Sequence, residues 1–119
     1  MFRWTAVLLA AALISPLFSQ PQQPLRRKRL LAWGDTLTGY QHDSISHALA
    51  TIERIGRESG AFDTFIRTDS QWITKQPVPL PARNAHTLND FDAVLFFGTG
   101  DRLLTQQQKQ DLMLSLIHI

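Results

Sequence analysis

Phe91-Asp92-Ala93-Val94-Leu95-Phe96-Phe97-Gly98-Thr99-Gly100-Asp101 decides the fold, because five apolar residues run unbroken from Ala93 to Phe97 and stop at a glycine. A run this short, closed by turn residues, suits a strand buried on both faces, the kind found in parallel sheets. Leu30 to Trp33, ended by Gly34-Asp35, has the same form and reads as the first strand, and Phe62 to Arg67 reads as the second. Between those two, Ile45, Ala48, Leu49, Ile52 and Ile55 recur at helical spacing, while Glu53 and Arg57 stand four apart on the other side and can pair. Asp43 or Ser44 is the natural N-cap, and Gly60 falls where a left-handed residue ends a helix. Thr105 with Gln108 forms a capping box for a last helix whose apolar stripe is Leu112, Met113, Leu116 and Ile117. Pro77, Pro79 and Pro81 make Lys75 to Asn84 an exposed loop. Strand, helix, strand, loop, strand, helix is the pattern of an α/β fold with a parallel sheet.

The ends of the chain read differently. Arg3 precedes an apolar run from Trp4 to Ile14, broken by Ser15-Pro16, which is the layout of a secretory signal peptide over residues 1–19. The run is about eleven residues where a membrane-spanning helix needs roughly twenty. The mature chain is therefore expected to start near Gln20 in a secreted or periplasmic compartment, with no membrane attachment after cleavage. Residues 20–28 read as a tether, and 29–119 as the folded domain. Arg26 to Arg29 is either a solvated charge run ahead of the first strand or a contact for anionic lipid or glycan. From Leu30 onward seven bases face ten acids, so the body lacks the basic face that nucleic-acid binding needs. There is no cysteine, which excludes a cysteine nucleophile, a disulfide framework and a Cys metal site.

In an open parallel sheet the ligand site lies beyond the carboxyl ends of the strands where strand order reverses, and in a flavodoxin-like order that is between the first and third strands. Two loops meet this description. Gly34 to Asp43 is polar and places His42 and Asp43 at a helix N-terminus, where the partial positive charge favours a carboxylate or a bound anion. His42 is then either a neutral base or metal ligand partnered by Asp43 or Asp35, or a surface loop residue beside a plain N-cap. The second loop, Gly98-Thr99-Gly100-Asp101, offers backbone N–H groups and one carboxylate, or is simply a tight turn. His47 falls on the polar side of its helix, His86 has no second ligand near it in sequence, and Trp72 is a sugar-stacking surface or a packing lid. No Gly-x-Ser-x-Gly elbow, dinucleotide fingerprint or phosphate loop is present, and the motifs assign neither a cofactor nor a metal.

The blocks Leu30 to Gly34, Gly39-Tyr40-Gln41-His42-Asp43-Ser44-Ile45, Gly56 to Phe62, and Phe91 to Phe97 with Thr99-Gly100-Asp101 and Leu104-Thr105 resemble, in order, the amino-terminal part of ThuA-like trehalose-utilisation proteins. The resemblance spans about Arg29 to Leu114. It implies a fold similar to class I glutamine amidotransferases, whose cysteine nucleophile this chain cannot provide, so glutamine hydrolysis is excluded. It implies a sugar or glycoside ligand, trehalose-type or 3-keto, with His42 and Asp43 as catalytic residues and Gly39, Tyr40, Thr99, Gly100 and Asp101 at the substrate. The family continues with a glycine-rich strand ending in Gly-Ile-His, which is not found here. A flavodoxin-like sheet has about five strands, so these three are expected to form a domain incomplete at its C-terminus and inactive alone. Ser115 to Ile119 departs from the family pattern and resembles translated adapter sequence, so His118 is given no role.

Overall fold

The computed structural model describes residues 25–79, 85–100 and 104–117. The signal-peptide reading of 1–19, the prolines' far end at 80–84, and Asp101 lie outside the described residues. The elements are β1 (Lys28–Gly34), α1 (Ser44–Ser59), β2 (Phe62–Arg67), a 3₁₀ turn (Leu88–Asp90), β3 (Ala93–Phe97) and α2 (Gln106–Ile117). All three strands are parallel, in the order β2-β1-β3. The register sets Leu31 beside Phe65 and Val94, so one face of the sheet carries Leu31 and Trp33 while the other carries Ala32 and Gly34.

α1 covers the second of these faces. Ile45 and Leu49 close on Ala32, all three buried, with Ile52 beside them. The helix comes this near because β1 ends in glycine: a Cβ on Gly34 would stand 2.7 Å from Leu49 Cδ1 and 2.9 Å from Ile45 Cγ2. At its other end the approach is through Gly56, where a Cβ would lie 2.6 Å from the Phe62 ring and 2.7 Å from the Phe62 carbonyl oxygen. Ile55, expected on the buried stripe, is therefore turned away and 44% exposed. Gly60 ends the helix in the left-handed conformation at φ 68°, its N–H donating to Gly56 O at 3.0 Å, and Arg57 pairs with Glu53 at 3.2 Å.

The opposite face is assembled from pieces. Leu31, Trp33, Ile73 and Leu88 form its buried cluster, ringed by Trp72, Phe91, Val94, Leu104 and Leu112. Only Leu112 of the predicted α2 stripe reaches this cluster; Met113, Leu116 and Ile117 are exposed. α2 docks instead through a carboxylate. Asp111 is buried and accepts from Thr74 Oγ1 (2.9 Å), Lys75 N (2.8 Å) and Gln107 Nε2 (2.9 Å). The capping box at the start of α2 is present in both directions, Gln108 N to Thr105 Oγ1 at 3.1 Å and Thr105 N to Gln108 Oε1 at 3.0 Å.

One expectation is corrected by this arrangement and another is made more specific. Ala93 to Phe97 is not buried on both faces, because β1 takes the central place and leaves β3 at the margin; Phe96 and Phe97 are each 37% exposed. The basic tract is a solvated run ahead of β1, as one of its two readings has it, with Arg26, Arg27 and Lys28 exposed and their charges paired at the surface. Arg26 and Lys28 reach Asp92 at 3.2 and 3.8 Å, Arg27 reaches Asp63 at 2.8 Å, and the Arg29 guanidinium lies 4.8 Å over the Phe65 ring. Lys28 itself opens β1, so the strand takes the last residue of the expected tether.

Candidate functional site

The reversal of strand order falls between β1 and β3, since α1 and β2 lie to one side of β1 and β3 to the other. The two loops leaving those strands are held together by three devices. Asp35 N donates to Phe97 O at 3.1 Å, continuing the ladder past the strand ends. The buried Asp35 carboxylate turns back on its own loop, accepting from Leu37 N (3.0 Å), Thr38 N (3.1 Å) and the Thr38 hydroxyl. This is the local hydrogen bonding by which aspartate builds turns, and it makes Asp35 the organiser of the loop rather than a partner for His42.

Glycine supplies the third device. Gly39 has φ 71°, and a Cβ there would sit 2.7 Å from Gly100 Cα and 2.9 Å from Gly100 N. A Cβ on Gly100 would overlap Thr38 in turn. The close backbone approach explains why glycine stands at both positions, and assigns them to loop packing. Thr99 completes the seam by donating its hydroxyl to the Tyr40 carbonyl at 3.4 Å.

What this seam builds is an open cleft of about 250 Å³, walled by His42, Ser44, Ile45, Phe97 and Thr99 together with Phe96 and Gly98. His42 is exposed, and the Tyr40 ring, itself 73% exposed, meets it edge-on at 4.6 Å between centroids. Asp43 differs from expectation. It occupies the N-cap position with helical dihedrals (φ −55°, ψ −25°), and its side chain makes no capping hydrogen bond. A capping side chain needs an extended N-cap backbone to point at the N–H groups of the first turn, so these dihedrals remove the cap. Of the residues read from sequence, the structure brings His42 and Thr99 to the cleft, places Tyr40 at its rim against His42, and leaves Asp43 exposed beside it. Ser44, Ile45 and Phe97 were not singled out; strand alternation identifies Phe97, since its neighbour Phe96 faces the Trp33 side.

A second cleft, about 360 Å³, opens on the other side of the same loop at the β1/β2 end, lined by Asp35, Thr38, Thr68, Asp69, Ser70 and Gln71 with Leu37. Partial burial pushes the Asp69 carboxyl up, but hydrogen bonds from Arg67 at 2.6 and 2.8 Å and from Gln71 N at 2.9 Å outweigh it and hold it below the usual carboxylate value. Trp72 is a packing residue: it stacks on Phe91, meets His86 edge-on at 4.9 Å and lies under the Arg67 guanidinium at 4.4 Å. His86 lies among Phe65, Trp72 and Phe91, with Nδ1 3.6 Å from Asp90. Among the described residues no three His, Asp or Glu side chains gather as metal ligands, and no helix is long and apolar enough to cross a membrane. The chain matches no family, no curated protein and no solved structure.

Proposed function

We propose that this chain is the amino-terminal part of an exported, ThuA-like sugar-processing domain of flavodoxin-like, class I glutamine amidotransferase-like fold, acting on trehalose-type or 3-keto glycosides. The observation that carries the reading is the placement of His42 with Ser44 and Thr99 on one cleft at the β1/β3 strand reversal. His42 serves as acid or base, with Tyr40 packed against its ring. The resemblance supplies the sugar; the imidazole and hydroxyl groups that line the cleft are compatible with it. In the full-length protein, His42→Ala abolishes turnover of a 3-keto-glycoside and leaves binding within about tenfold. Unchanged turnover removes His42 from the mechanism.

One observation favours a second reading, a non-catalytic carbohydrate-binding module. A general base is ordinarily oriented by a third group, and Asp43 makes no capping bond and stands exposed while Asp35 is committed to its loop. On this reading His42→Ala weakens glycan binding and no substrate is consumed by the unsubstituted protein.

A further inference from the structure

We infer that Phe97 is the platform of the β1/β3 cleft, receiving the apolar C–H face of a single sugar ring while His42, Ser44 and Thr99 meet the ring's hydroxyl edge. This rests on the sugar reading above and adds to it which face of the ligand is recognised and by what. Successive residues of a strand point to opposite faces. Phe96 uses its ring on Trp33, edge-on at 5.2 Å and 62°; Phe97 belongs to the other face, where it walls the cleft beside the buried Ile45. Phe97, like Phe96, is 37% exposed, but on the cleft side its exposed surface is free to meet the apolar face of a ligand.

The polar groups of the cleft are as selective as its floor. His42, Ser44 and Thr99 each carry both donor and acceptor capacity when the imidazole is neutral, which matches hydroxyl groups. No lysine or arginine lines the cleft among the described residues. The volume, about 250 Å³, is below the roughly 300–1,000 Å³ of sites for drug-sized ligands and is enough to seat one ring. A linear polyol presents hydroxyls, more of them than a methyl glycoside, without a flat apolar face. The platform therefore makes ring shape, and not hydroxyl count, the basis of selection.

Binding of methyl α-glucopyranoside and of sorbitol to the 119-residue chain, followed by ligand-observed NMR titration, tests this directly. The unsubstituted chain should bind the ring about tenfold more tightly than the linear polyol; Phe97→Ala should bring the two within about threefold, and Phe97→Tyr should restore the preference. A ring preference that survives in folded Phe97→Ala overturns the platform while leaving the sugar reading intact. If Phe97→Ala fails to fold, Phe97→Leu keeps apolar volume without the flat face and is expected to lose the preference; retention there overturns the platform equally. Failure of the unsubstituted chain to bind the glucopyranoside, or binding of both ligands alike, overturns the sugar reading and the platform with it.

Discussion

The two faces of β1 are covered by different kinds of chemistry. On one, a single continuous helix lays Ile45 and Leu49 on Ala32 and closes in over glycine. On the other, the segment around Ile73, the 3₁₀ turn and α2 are joined by a buried carboxylate and a group of aromatic rings. The first face is apolar contact between β1 and the helix that follows it in the chain. The second is tied by polar bonds between residues more than thirty apart, which must all be made for it to hold. Stability on the α1 side should thus be indifferent to pH, and on the α2 side it should not.

Truncating Leu49 to alanine gives the largest expected effect, a loss of about 2–5 kcal/mol in urea unfolding that is the same at pH 7 and pH 4. A pH-dependent loss would mean that the two faces do not differ as described. Asp111→Ala comes next, costing about 1–3 kcal/mol at pH 7 by leaving the Lys75 N–H, Thr74 hydroxyl and Gln107 amide without their acceptor. The hydrogen bond from Lys75 N, reinforced by Gln107 and Thr74 and opposed by burial, holds the Asp111 carboxyl below its usual value in the folded protein. Its contribution is therefore complete above the usual carboxylate range and fades as the pH falls through the lower folded value. Asp111→Asn should accordingly flatten part of the acid limb of a stability-versus-pH curve, and an unaltered limb would show that α2 is held by Leu112 alone.

Gly100→Ala tests the loop seam apart from both faces. The added Cβ meets the backbone of Thr38, so the loops must separate; the cleft should lose its ring preference while the unfolding midpoint moves by no more than about 1–3 kcal/mol equivalent. Preserved ligand selection in this variant would detach the cleft from the seam. The smallest effect on stability is expected at the sheet margin. β3 carries no charge and pairs on one side with β1, which is the kind of edge that invites pairing between copies. Ala93→Lys, at an exposed position, should shift a self-associating population toward monomer in sedimentation velocity with stability changed by less than about 0.5 kcal/mol. A chain that is already monomeric and unfolds cooperatively would show that this edge is not a pairing surface.

Amino-acid pattern alone located β2 and β3 to the residue, and α1 with its Gly60 stop, because each is specified by neighbours a few positions apart. It also pointed to the strand-end loops, with His42 in one and Thr99 in the other, since that inference needs only strand direction and chain order; Thr99 itself was named by the resemblance. It misplaced Ile55 because helical periodicity does not say that Gly56 will be the point of closest approach to Phe62. The second cleft at Asp69 was missed for a related reason: attention to the reversal of strand order passes over the β1/β2 end.

What the sequence by itself determined, then, is the set of elements, their α/β order, the Gly60 end of α1 and the capping box of α2, all carried by local periodicity and turn chemistry. The tertiary structure decided the rest. It made β1 central and β3 marginal, turned Asp35 inward on its loop, left Asp43 without a cap, buried Asp111 as the anchor of α2, and turned the Phe96 ring onto Trp33 while Phe97 took the α1 side of the sheet. Each of these depends on which surface a residue meets across the chain. An apolar run or a lone carboxylate has no information about that partner until the strands have taken their register.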